Sequence, residues 1–222
     1  MPPEVLERGL GEGVFHGAKL YPANVTTNSS YGVTDISKID NLFETMEKIG
    51  MPLLIHGEVT DFNVDVFDRE AVFIERHLEP LLRRFSSLKV VLEHITTIDA
   101  IDFVENSQFD IAATITPHHL HINRNAMFNG GLRSDFYCLP TAKREIHRIA
   151  LRKAATSGKP CFFLGTDSVS DLSHLVGVKE ISGENAGGGS GNKRSGGAGH
   201  TRVIKVPLGT VVWEKSNGGR AF

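Results

Sequence analysis

Three apolar runs in this chain each end on a side chain that can hold a metal ion. Met51–Glu58 reads MPLLIHGE and closes on His56; Lys89–Thr96 reads KVVLEHIT and closes on His94; Cys161–Ser168 reads CFFLGTDS and closes on Asp167. A fourth run, Val14–Pro22, carries Lys19 near its end. Two neutral imidazoles and a carboxylate on separate strand ends can bind zinc or a similar divalent ion, because the scaffold fixes each ligand while the loops leave a coordination position open. A bound metal lowers the pKa of its water to about 7, and a nearby aspartate can then carry protons. The chemistry implied is hydrolysis of a carbonyl compound. His118, His119 and His121 form a dense cluster whose spacing suits neither a helix face nor a zinc finger, and it reads as a polar loop.

The elements that must position these groups follow from periodicity. Unbroken apolar runs such as Leu53-Leu54-Ile55 read as strands buried on both faces of a parallel sheet, where ligands sit beyond the carboxyl ends. Strands are expected at Val14–Tyr21, Met51–Glu58, Lys89–His94, Ile111–Thr116 and Cys161–Gly165. Pro2 and Pro3 discourage an early helix, leaving a short turn over Glu4–Leu10. Ile36, Ile39, Leu42, Phe43, Met46 and Ile49 fall on one helical face, stopped by Gly50. A helix is expected from Asp68 to Phe85, kinked at Pro80. Another is capped by Thr97, and a last one runs from Pro140 or Thr141 to Thr156. Residues 14–168 thus alternate strand and helix five times, the signature of βαβ units in a parallel sheet or barrel.

Composition narrows the class. Of 222 residues, 24 are Lys or Arg and 26 Asp or Glu, a balance that argues against a nucleic-acid or anionic-membrane surface. No apolar run approaches membrane-spanning length. The two cysteines make no disulfide framework, and Met1–Gly13 shows no export pattern, so a cytoplasmic setting is expected. Residues 183–199 hold eight of the 23 glycines, marking the sharpest change in composition. The expected organisation is a body over 1–170, a glycine-rich linker over 171–200 and a β-hairpin tail over 201–222.

The body carries a family likeness. Gly17–Ser30 (GAKLYPANVTTNSS), the HGE of His56–Glu58, Glu93–Thr97 (EHITT), Thr116–Leu120 (TPHHL), Tyr137–Pro140 (YCLP) and Leu164–Ser168 (LGTDS) occur in order. Together they resemble the single-function, bacterial-type dihydroorotases of the amidohydrolase superfamily. The resemblance implies a distorted (β/α)₈ TIM-like barrel of the metal-dependent hydrolase type. It implies reversible conversion of N-carbamoyl-L-aspartate to dihydroorotate in pyrimidine synthesis. Two zinc ions per subunit are implied, bridged by a carboxylated lysine that matches Lys19. His56 and His94 match the histidines of the second metal, His56 also lying beside the substrate. Asp167 matches a ligand of the first metal that serves as general base and acid. Thr26 and Thr27 match a mobile loop over the substrate, and Leu139 a backbone contact to its ring. A homodimer is left open.

The pattern also departs from that family. Its opening strand bears His-x-His and an arginine, yet only His16 precedes Lys19 here; the first three barrel strands have no counterpart. After Asp167-Ser168 the chain reads Val169-Ser170-Asp171 where the family has a substrate-binding histidine. The expectation is an incomplete barrel with at most a partial zinc site and little or no activity on its own. Residues Val203–Val212, VIKVPLGTVV, with the glycine-rich stretch before them, resemble the N-terminal domain of Obg-type GTPases. The competing readings are a non-catalytic remnant or a fusion to such a ribosome-associated module.

Overall fold

The computed structural model describes residues 2–22 and 36–165, and the elements below lie within them. Helix α1 spans Pro3–Gly11, and strand β1 spans Ala18–Leu20. A 3₁₀ turn at Ile36–Ile39 leads into α2, Asp40–Ile49, which is followed by β2, Leu53–His56. Then come α3, Arg69–Phe73, a π turn over Ile74–Leu78, and α4, Glu79–Arg84. Strand β3 is Val90–Glu93, α5 is Ile98–Asn106 and β4 is Ile111–Ile115. The short α6, Pro117–His121, precedes α7, Glu145–Ala155, and β5, Phe162–Leu164.

All five strands pair in parallel, in the order β1-β2-β3-β4-β5. This is the α/β sheet of a partial TIM barrel. The register fixes two faces. Leu20, Ile55, Leu92 and Ala113 lie side by side on one of them, as do Leu53, Val90 and Ile111, and all are buried. Side chains alternate along a strand, so Lys19, Leu54, Val91, His56, Glu93 and Thr114 share the opposite face. Leu54 and Val91 there are only half-buried. The expectation of strands buried on both faces therefore holds for one face, against which the apolar sides of the helices pack.

Local signals account for most element ends. Gly50 adopts a left-handed conformation with φ 68° and stops α2. Thr97 caps α5, its hydroxyl accepting from the Ala100 N–H at 3.1 Å. Pro3 does not discourage α1 but begins it, since a proline at the first helical position gives up an N–H that would be unpaired anyway. The helix expected over 68–85 is present as one unbroken run over 69–84, with a stretch of π spacing at Ile74–Leu78. Pro80 has no N–H for the Arg76 carbonyl, and the turn before it opens to π spacing. Helix α7 begins at Glu145, later than expected, because Thr141, Ala142 and Lys143 are drawn into the interior as irregular chain. His118, His119 and His121 lie on a one-turn helix opened by Pro117, not in a loop. The linker and tail, residues 171–222, fall outside the described residues.

Leu92 sits at the centre of the buried face with no exposed surface. Leu92→Ala is expected to cost about 2–5 kcal/mol, the range for truncating a buried leucine. Urea denaturation followed by circular dichroism measures it, and a loss below 1 kcal/mol would contradict the packing described.

Candidate metal centre

In-register parallel pairing brings the ends of β1, β2 and β3 together, and with them Lys19, His56 and Glu93. His56 is set directly opposite Glu93 in the register. Lys19 forms an ion pair with Glu93 across the intervening strand end. His94 follows Glu93 by one residue, so regular alternation would send its ring to the helix-covered face. Its backbone instead turns left-handed, with φ 45°, and it is the one non-glycine residue among those described with a positive φ. The turn returns the imidazole to His56: His56 Nδ1 and His94 Nε2 lie 3.2 Å apart, the rings meeting edge to face.

Both rings are buried and anchored. His56 Nε2 donates to Glu58 Oε2 at 2.9 Å, which leaves Nδ1 as the lone-pair nitrogen facing His94. Glu58 is fully buried, and its other oxygen has no hydrogen-bond partner, only the ammonium of buried Lys143 at 3.9 Å. The His94 amide donates to Thr114 Oγ1 at 2.6 Å, while its Nδ1 is buried without a partner. Burial, reinforced by neighbouring His56, Lys19 and His119, holds the His94 pKa well below its usual value. The ring is therefore neutral, the form that binds metal.

The donor geometry fits a zinc-sized ion. With metal–nitrogen bonds of about 2.0–2.1 Å at a tetrahedral angle, two imidazole nitrogens stand about 3.3 Å apart, against 3.2 Å here. The buried Glu58 carboxylate stands behind His56 through Oε2, and a carboxylate behind a ligating imidazole fixes its tautomer and strengthens it.

The other expected residues fare differently. Leu139 is half-buried and joined to Pro140 through a cis peptide. Thr26, Thr27 and Asp167 lie outside the described residues. His118, His119 and Cys138 bring one ligand atom each within 4.8 Å of one another, but His119 already uses both nitrogens. It bonds Thr116 Oγ1 at 2.6 Å and donates to the Pro140 carbonyl at 2.9 Å. That ring braces the 139–140 segment. Two residues that periodicity overlooked matter most: Lys143, and Glu70 on α3. Glu70 shares a helical stripe with Phe73 and Ile74, and a carboxylate on an apolar stripe was the signal that could have found it.

The match to the amidohydrolase family covers residues 3–195, and the chain belongs to that family. Among curated proteins it is similar to dihydroorotases. That of Synechococcus sp. (strain CC9605) is 71% identical over 166 residues, 75% of this chain and 48% of the relative. That of Sphingopyxis alaskensis is 63% identical over 177 residues, 80% of this chain and 51% of the relative. The chain thus spans about half the length of the curated relatives it matches. Among solved structures, dihydroorotase from Campylobacter jejuni superposes with TM-score 0.69 at 37% identity, over 76% of this chain and 48% of that one. The D-hydantoinase of Bacillus sp. AR9, at TM-score 0.62 and 14% identity over 75% of this chain and 40% of that one, shares the fold alone. No helix among the described residues is long and apolar enough to cross a membrane.

Burial also drives the His119 pKa down to about 3, helped by His118. Both His94 and His119 therefore have folded-state values below the unfolded 6.5. Between those values the unfolded chain binds more protons, so stability falls as pH drops through 6.5 towards 3. His119 contributes up to about 1.4 kcal/mol per pH unit in that window, and His94 acts in the same direction. The urea midpoint is expected to be lower at pH 5 than at pH 7.5, with His119→Gln flattening the difference. Equal midpoints at the two pH values would contradict the burial of these rings.

Proposed function

We propose that this chain carries metal-holding strands of a dihydroorotase, which interconverts N-carbamoyl-L-aspartate and dihydroorotate by closing and opening a cyclic amide. The observation that carries this reading is the 71% identity to a curated dihydroorotase over 166 residues. The structurally similar hydantoinase, also a member of the wider fold group, is only 14% identical.

His56 through Nδ1 and His94 through Nε2 would hold one zinc ion. Lys19, if carboxylated, and Asp167 would serve a second. Zinc so bound would supply a water of pKa about 7 and polarise the amide carbonyl. The remaining tasks fall to side chains. Glu58 keeps the proton of His56 on Nε2, so Nδ1 stays open. Carboxylation would turn Lys19 from cation to anion and end its attraction to Glu93, so that pair must part for the lysine to ligate. Asp167 would take the proton from the attacking water and return it to the leaving nitrogen. Thr26, Thr27 and the Leu139 backbone would hold the substrate and exclude solvent. Turnover by this chain is expected to be low, since the described residues bring one imidazole pair together.

Two measurements test the proposal. Zinc titration against a chelating dye should show binding that His56→Ala and His94→Ala each weaken by more than the 10–100-fold typical of an outer-sphere change. Calorimetry on the zinc-loaded chain should show orotate or carbamoyl aspartate bound in preference to hydantoin. Preference for hydantoin, or zinc affinity indifferent to both alanine variants, would overturn it.

A further inference from the structure

We infer that Glu70 is a positioning residue for the metal pair, acting through the turn that aims His94. The inference rests on reading His56 and His94 as joint metal ligands, and it adds the group that makes their meeting hold.

The need for such a group follows from the sheet. A histidine placed one residue after Glu93 belongs on the wrong face, and only a left-handed backbone brings it back. That conformation is disfavoured for a residue with a Cβ, and it persists only where neighbouring groups over-determine it. Thr114 brackets the turn: the His94 amide donates to its Oγ1 at 2.6 Å and the Ile95 amide to its carbonyl at 3.0 Å.

Further along, at Thr96 and Thr97, one carboxylate does the holding. Glu70 takes the Thr96 amide on both oxygens, at 3.0 and 2.9 Å, and the Thr97 amide at 2.9 Å. It also accepts from the Thr96 hydroxyl at 2.8 Å and the Thr97 hydroxyl at 2.5 Å. All four donors of the Thr96-Thr97 pair thus converge on a single side chain that is 2% exposed. The Thr97 hydroxyl, while donating to Glu70, accepts from Ala100 and so ties the start of α5 to the same point. The Val59 amide donates to the Arg69 carbonyl at 3.3 Å, linking the residue before Glu70 to the chain just beyond His56. Glu70 therefore sits between the segments that follow the two histidines and touches neither ring.

The carboxylate is chemically specific for this task. Four donors need an acceptor-only group with two oxygens. A glutamine presents one oxygen and an NH₂ that would face further donors, leaving buried N–H or O–H groups unpaired. An aspartate on the same helix falls one methylene short.

The test uses the full chain and reads geometry separately from stability. In metal-free protein with labelled histidines, NMR should show the His56–His94 ring contact in the parent and its loss in Glu70→Gln. Zinc affinity should fall at least tenfold in the same variant. Leu151→Ala, a buried truncation on α7, should lower thermal stability while leaving ring contact and zinc affinity unchanged. If Glu70→Gln does not fold, Thr96→Val removes one donor at nearly constant shape and should lower zinc affinity about threefold. Ring contact retained in Glu70→Gln with affinity within twofold of the parent would overturn the inference. So would equal loss of both in Leu151→Ala, or no change in Thr96→Val. A parent that binds zinc without preferring orotate would sink the substrate assignment and leave the role of Glu70 standing.

Discussion

The constraint behind this structure is in-register parallel pairing. When strands run the same way and start level, their last residues arrive at one edge of the sheet, and alternation sorts them onto two faces. One face receives Leu20, Ile55, Leu92 and Ala113 and becomes the core. The other receives Lys19, His56, Glu93 and Thr114, whose polar atoms are usable only where they have partners. The hydrophobic core and the polar centre are therefore two readouts of one register. A slip of a single residue would exchange them.

Within that frame the imidazole pair is the one point where regular geometry is not obeyed. His94 leaves the strand pattern to face His56, and the departure is supported on both sides by hydrogen bonds that terminate on Thr114 and Glu70. The strain is local, while its support comes from two other elements, β4 and α3. That arrangement makes the centre a property of the assembled sheet and its covering helices rather than of the EHITT segment alone.

Much of this was legible in the chain. Apolar runs ending at His56 and His94 give both the strands and the imidazoles those strands bring face to face. Gly50 and Thr97 announce the helix ends they form. What escaped depends on tertiary pull. Thr141–Lys143 has the composition of a helix start, yet burial of Lys143 beside Glu58 keeps it out of the helix. Pro117 turns a histidine-rich stretch into a helix that local polarity disguised as a loop. Glu70 was hidden because its partners lie 26 and 27 residues away, and no periodicity encodes a carboxylate's distant donors. Asp167, Thr26 and Thr27 stand outside the described residues, so for them resemblance alone speaks.

Lys143 acts on both buried carboxylates: it lies 3.9 Å from Glu58, and its charge lowers the pKa that burial raises at Glu70. Glu58 bonds the ring of His56 and Glu70 the segment after His94, so one ammonium faces the supports of both histidines. The two supports are therefore not energetically independent. Removing either carboxylate changes the charges that Lys143 faces, so the two contributions to stability are coupled rather than additive.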